Sequence, residues 1–360
     1  MSLLSQNKSF IAVDIGSSSI KVMELDLRGA RPYLVAASIT PLPNGVFSNN
    51  QISKKEATAE KVAAALSEYR SGDIATVSAM PALSVFTKRV TMGAIEEREL
   101  LQTIKFEAGS YIPQGSDSVK LDYSIINRKP TGELDILVVA VKNEIVDSYV
   151  ETFRLAGFET GIVDVDYFSY QNAFELAYPE LRDQPTCLVY VGARYSFINI
   201  CKGGLPLFTG NISIGGAAIT QEIARVLGVE LADAETLKLE ASANKNQDPD
   251  DKVQNIIAKS RRALVADLDR QIRIMWNACG IDQDLGRIFI AGGGALLDGL
   301  PEALSEATNA SCELFDPFRG IEVGTEFNKE YITKLGPSMA IAAGLAIRSF
   351  GDKVEGGASA

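Results

Sequence analysis

Residues 12–24 read AVDIGSSSIKVME, and residues 188–200 read LVYVGARYSFINI. With Gly16 set on Gly192, Val13-Asp14-Ile15-Gly16 falls on Val189-Tyr190-Val191-Gly192. Each stretch is an apolar strand that breaks at a glycine and resumes, the pattern of a tight hairpin. One hairpin near the start and another near the middle point to a duplicated α/β fold, with a ligand cleft between its halves. The copies differ where it matters chemically. Asp14 ends the first strand, and Tyr190 holds that place in the second.

The chain has 360 residues, 46% hydrophobic and 22% charged, an ordinary composition for two or three globular domains. A net charge of −11 with no basic run argues against a nucleic-acid partner. Cys187, Cys201, Cys279 and Cys312 are scattered, and read as buried thiols of a reducing compartment rather than disulfides or a zinc site. Histidine is absent, which removes His-based acid–base chemistry, Ser-His-Asp triads and His-ligated metals. The opening MSLLSQNKSF has no apolar signal core, and no run approaches the ~20 apolar residues of a membrane span. A cytoplasmic location is the expectation.

Periodicity and turn residues divide the chain. The expected first domain is 1–83 with 162–182, and an inserted strand–helix–strand–strand–helix module occupies 84–161. The expected second domain is 183–350, with a smaller helical and strand subdomain at about 217–280, and 351–360 is a polar, disordered tail. Ser53 reads as the cap of a helix from about Lys54 to Tyr69. Another helix is expected to start near Ala295, and a last one at Pro337–Phe350.

Three glycine turns carry the functional reading. In Asp14-Ile15-Gly16-Ser17-Ser18-Ser19, turn amides and hydroxyls converge as they do around an anion, Lys21 adds a positive charge, and Asp14 is placed to hold Mg²⁺ through water. Taken alone, the same residues read as a plain hairpin turn. Gly215-Gly216 before a helix, and Gly292-Gly293-Gly294 after the strand RIFIA, are further sites where a helix N-terminus meets a polar ligand. The second lacks GxGxxG spacing, so a dinucleotide fingerprint is not supported. Glu235 and Lys238 read on their own as a salt-bridged helix face.

In this order DIGSSSIK, VYVGARYS, ISIGG, AETLK and AGGGALL resemble the two phosphate loops, the glycine turn, the nucleoside contact and the adenine-side loop of the actin-like ATPase superfamily. That resemblance implies an actin-like fold, two duplicated α/β domains around a nucleotide cleft, with ATP and Mg²⁺ as ligands. It implies nucleotide contacts from Asp14, Gly16, Ser17, Ser18, Ser19, Lys21, Gly192, Gly215, Gly216, Glu235, Lys238, Gly292, Gly293 and Gly294. The second phosphate loop of the superfamily also carries an aspartate. Tyr190 replaces it here, and Arg194 and Tyr195 replace small hydroxyl residues, so at most weak hydrolysis is implied. On that reading Tyr190→Asp should raise turnover.

Within the superfamily FIAVDIGSSSIKVMEL, AGFETGIVDVDYFSYQNAFEL, NISIGGAAITQEI and AAGLAIR resemble the PilM family of type IV pilus assembly, and the module at 84–161 resembles the insertion shared by PilM and FtsA. The resemblance implies a scaffold that grips the N-terminal cytoplasmic peptide of PilN. Further implied partners are other platform proteins, the pilus motor ATPases, and copies of itself in an oligomer or ring, with membrane association only through partners. A groove where the module meets the first domain is the expected docking place, with Val85, Phe86, Asp164, Asp166, Tyr167 and Phe168 as candidates. As plain core these strands and aromatics need no partner. Two alternatives stand beside the scaffold. A small-molecule kinase needs a carboxylate base beside its substrate hydroxyl. An FtsA-like filament protein ends in an amphipathic membrane helix, whereas GDKVEGGASA has no apolar face.

Overall fold

The computed structural model describes residues 9–68, 74–110, 112, 116–243 and 251–348. The expected tail 351–360, Tyr69 and Phe350 lie outside the described residues. The first half opens with β1 (Ser9–Ile15), β2 (Ser19–Asp26) and β3 (Tyr33–Pro41), then the two-residue strands β4 (Phe47–Ser48) and β5 (Gln51–Ile52), α1 (Lys55–Ala65) and β6 (Ile74–Met80). The insertion holds β7 (Val85–Met92), α2 (Glu97–Ala108), β8 (Val119–Arg128), β9 (Leu134–Lys142) and α3 (Asn143–Leu155). The chain returns through β10 (Glu159–Val165) and α4 (Asp166–Ala177).

The second half runs through β11 (Thr186–Val191), β12 (Ser196–Lys202), β13 (Leu205–Ile212), α5 (Gly216–Leu227), α6 (Leu231–Ala243) and α7 (Lys252–Ala278). It continues as β14 (Arg287–Ala291), α8 (Leu300–Thr308), β15 (Ser311–Leu314), α9 (Lys329–Leu335) and α10 (Ala340–Ala346). The first sheet has the order β3-β2-β1-β6-β10 and the second β13-β12-β11-β14-β15. Each begins with an antiparallel meander and adds two parallel strands on its far side. Helical crossovers supply the parallel connections. One topology occurs twice.

Both sheets are buried on two faces, which is why their central strands read as almost unbroken apolar runs. One core joins the halves: α4 and α10 pack between the sheets, with Ala12 and Met23 on one side and Leu188, Phe197 and Phe289 on the other. Tyr170 donates its hydroxyl to the Phe289 carbonyl at 3.1 Å, so the central aromatic cluster is tied by a polar handle. A separate core under α5, α7 and α8 covers the outer face of the second sheet.

Several expectations need correction. Ser53 does not cap α1; its hydroxyl donates to the Val46 carbonyl at 3.1 Å, and Lys54 takes the cap position. Module residues 84–161 do not pack as one unit. Strands β8-β9-β7 with α2 form their own small core, whereas α3 buries Ile145, Tyr149 and Phe153 against Ile11, Val13 and Ile15 of the first sheet. The region 217–280 holds helices α5, α6 and α7 and no strand among the described residues. The segment after Gly292 is a short 3-10 turn, and the helix proper starts only at Leu300. Helix α10, counted with the second domain by position, packs on β1, β2 and α4 of the first half.

Candidate functional site

The two hairpins share one register. Ile15 faces Ile20 and Val191 faces Ser196, so four residues close each hairpin, with Ser17-Ser18 at the tip of the first and Ala193-Arg194 at the tip of the second. The Gly16 amide donates to the Ser19 carbonyl and the Gly192 amide to the Tyr195 carbonyl, both at 3.0 Å. Leu42 braces the first turn by donating its amide to the Ser18 carbonyl at 2.8 Å.

One step inside each turn the chemistry diverges. Asp14 faces Lys21, and their charges meet at 3.2 Å with both side chains buried. At the equivalent positions Tyr190 faces Phe197, and the rings stack at 5.0 Å with 10° between planes. An ion pair in one copy has become an aromatic stack in the other. Burial works against the Lys21 ammonium, but the facing Asp14 carboxylate and the nearby Tyr190 more than offset it and hold its pKa above the ordinary value. Burial pushes the Tyr190 phenol up to about 12, so it stays neutral beside that pair.

The glycine turns fold around the second hairpin. The amides of Gly216 and Ala217 donate to the carbonyls of Gly192 and Ala193 at 2.9 and 2.8 Å. Those two amides at the start of α5 are therefore taken up by the protein itself. A Cβ on Gly215 would stand 2.5 Å from both carbonyls, which is why glycine is needed there. Lys238 donates to Glu235 at 2.7 Å, to Thr220 at 2.9 Å and to the Gly216 carbonyl at 3.3 Å, tying α6 to α5. Gly292, at φ 91°, donates its amide to the Pro337 carbonyl at 2.8 Å and, with Gly294, packs on Val191. Gly293 alone of these three has open space around its Cβ position, with Ser338 at 3.8 Å.

From the second turn, side chains reach across to the first half. The Arg194 guanidinium donates to Asn50 at 2.7 Å and lies 5.3 Å from the Phe47 ring centre. Tyr195 donates its hydroxyl to Asp166 Oδ2 at 2.6 Å, and the Ala82 amide donates to the same oxygen at 2.8 Å. The other oxygen, Oδ1, accepts from the Tyr167 amide at 2.7 Å. Burial raises the Asp166 pKa to about 7 against these hydrogen bonds. At the hairpins the buried Arg194 Nε is left without a hydrogen bond, whereas Asp14 Oδ2 is the oxygen that faces the Lys21 ammonium at 3.2 Å. Spare buried groups of this kind mark places where a ligand or bound water completes the bonding.

A crevice lies on the other side of Ala82. Strand β7 is an edge of the inserted sheet and β13 is an edge of the second sheet. Thr87–Arg89 of one face Pro206–Thr209 of the other across a cavity of about 280 Å³ with Phe168 in its wall. An adjoining cavity of about 210 Å³ takes Ala82, Val85, Phe86 and Tyr167 into its lining. The candidate partner residues Val85, Phe86, Tyr167 and Phe168 are thus gathered at one place. Asp164 and Asp166 are not. Asp164 is buried in an ion pair with Arg348, and Asp166 is committed to Tyr195, Ala82 and Tyr167. Asn50, Phe47, Thr209 and Ala82 were missed because nothing local in the sequence marks a residue whose partner lies in a different segment.

Two sheets of one topology, joined by central helices and each opening with a hairpin, with Tyr190 of one beside Lys21 of the other, define an actin-like ATPase fold. Solved structures share it. A chain of a PilM–PilN type IV pilus biogenesis complex is 24% identical, with a TM-score of 0.83 over 95% of this chain and 98% of that one. The ethanolamine utilization protein EutJ from Carboxydothermus hydrogenoformans has 14% identity and a TM-score of 0.57, covering 94% and 89% of the two chains. MreB 5 of Spiroplasma citri bound to AMPPNP has 11% identity and a TM-score of 0.51, covering 98% of each chain. The family model for type IV pilus assembly protein PilM matches residues 12–350, and the chain belongs to that family. Cell division protein FtsA of Borreliella burgdorferi is 23% identical over 269 residues, a match spanning 70% of this chain and 62% of FtsA. No helix among the described residues is long and apolar enough to cross a membrane.

Proposed function

We propose that this chain is an ATP-binding scaffold of type IV pilus assembly that takes the N-terminal peptide of PilN into the crevice between β7 and β13. One observation carries the reading: two strand edges with no further strand partner face each other across the crevice, bridged by a hydrogen bond from the Arg89 side chain to the Pro206 carbonyl, with aromatic residues of α4 beside them. An extended peptide laid there gains backbone hydrogen bonds along its length and pockets for alternate side chains. The PilM–PilN complex among the similar structures supports the choice of peptide. Attachment to the membrane then comes through the partner, on its cytoplasmic side.

The nucleotide reading rests on the two hairpins. The Asp14 carboxylate, though paired with Lys21, keeps acceptor capacity for a metal-bound water, and Arg194 Nε is a spare donor to a phosphate oxygen. Mg²⁺ would supply charge neutralisation at the phosphates, with Asp14 holding it through water. Hydrolysis is slow on this reading, because no carboxylate stands at position 190 to help order the attacking water.

Two titrations test the proposal. A labelled PilN N-terminal peptide should bind wild type and lose at least about tenfold in affinity for Thr87→Trp, whose indole fills the crevice; equal affinity would sink the docking site. A fluorescent ATP analogue should bind wild type and fail with Gly293→Asp, where the new side chain has room but brings negative charge. Equal binding by both would remove the loop from the site.

A further inference from the structure

We infer that Asp166 couples the two sites, so that a nucleotide between the hairpins changes the affinity of a peptide in the crevice. The inference rests on the function proposed above and adds to it a physical link. Asp166 is 2% exposed, and one of its oxygens is shared between the cleft and the crevice. Oδ2 accepts from Tyr195, which closes the turn of the second hairpin, and from the Ala82 amide. Ala82 begins the short 3-10 turn Ala82–Ser84 that leads directly into β7, and it lines the crevice. Oδ1 holds the amide of Tyr167, a second crevice residue.

The link is short and stiff. Tyr195 is paired to Gly192 across the two residues at the tip, so the turn moves as a unit. Arg194 is the neighbour of Tyr195, and it already spans to Asn50 while its buried Nε lacks a partner. A phosphate that recruits that nitrogen pulls on the turn and, with it, on the Tyr195 hydroxyl. A buried carboxylate is costly to leave short of donors. When Tyr195 shifts, Asp166 follows it or tightens on Ala82, and either movement alters the β7 side of the crevice. Linkage makes the effect reciprocal: the peptide must change nucleotide affinity by the same factor.

The experiment measures that factor. Labelled PilN peptide is titrated against the full chain with and without saturating AMPPNP, and AMPPNP with and without saturating peptide. Wild type should show a change of about fivefold or more, equal in both directions. Tyr195→Phe keeps the ring and removes the hydroxyl; both ligands should still bind it, with the factor reduced to within twofold of one. Hydrogen exchange of the 81–87 segment in wild type should change on adding AMPPNP alone, a measurement that needs no variant. Binding of both ligands to wild type with a factor of one, an undiminished factor in Tyr195→Phe, or unaltered exchange at 81–87 would each overturn the coupling. Failure of either ligand to bind wild type would overturn the proposed function itself, and the coupling with it.

Discussion

Tyr190 stacks on Phe197 in a site only 6% exposed, and an aspartate placed there would lose the ring and bury a carboxylate near Asp14. Tyr190→Asp should therefore lose about 3–5 kcal/mol of stability, the range for deleting a buried aromatic, whereas Tyr190→Phe should stay within about 1.5 kcal/mol. Urea denaturation of the two variants separates these outcomes, and any test of restored turnover must be read on the folded fraction alone. Asp166 makes a second prediction. Burial raises it to about 7, with Asp14 adding to the rise and the bonds from Tyr195, Ala82 and Tyr167 opposing it. An unfolded aspartate titrates near ~3.9. Between those values the folded chain holds a proton that the unfolded chain has released, so this residue costs stability progressively as pH rises through the window. Asp166→Asn cannot titrate. Its stability relative to wild type should climb from about pH 4 to about pH 7 and level off above, whatever constant penalty the amide carries; a difference flat across that range contradicts the shift.

Helix α10 crosses α4 so closely that a methyl group on Gly344 would run into the Ser169 carbonyl. Gly344→Ala should cost at least about 1–3 kcal/mol as the helices separate, against the small gain in helix propensity that the same change brings to an exposed helix. A thermal melt checks it. At the insertion, removing 84–161 would strip Tyr149 and Phe153 from the first-half core, but removing 84–142 leaves α3 in place. The shorter deletion should keep a cooperative melt and lose the peptide, and the longer one should not melt cooperatively. The hairpins were legible in the sequence because a glycine turn fixes register within a dozen residues. Strands β8 and β9 were legible too, because they flank the turn residues Lys129–Gly132. By contrast Tyr195 and Asp166 are 29 residues apart and in different halves, and no periodic pattern connects them. The glycine turns were found as turns, while their amides proved to serve neighbouring carbonyls, which a linear pattern does not reveal.

Across the molecule, a single topology used twice gives two sheets, the turn of the second reaching Asn50 and Phe47 of the first half, and the insertion adds a third sheet with its own edge. The return of α10 has a consequence for how such a chain is made. The first sheet leaves the ribosome early, yet the face that α10 covers, Ala12 and Met23 among it, stays uncovered until residue 346 has been synthesised. Contacts of such long range are slow to form, and apolar surface exposed meanwhile invites association with other nascent chains. Chains arrested after residue 339 should therefore be held by chaperones or aggregate, whereas chains arrested well beyond residue 346 should resist protease across the first half. Helix α10 acts as a clasp on a sheet made more than three hundred residues' worth of synthesis before it.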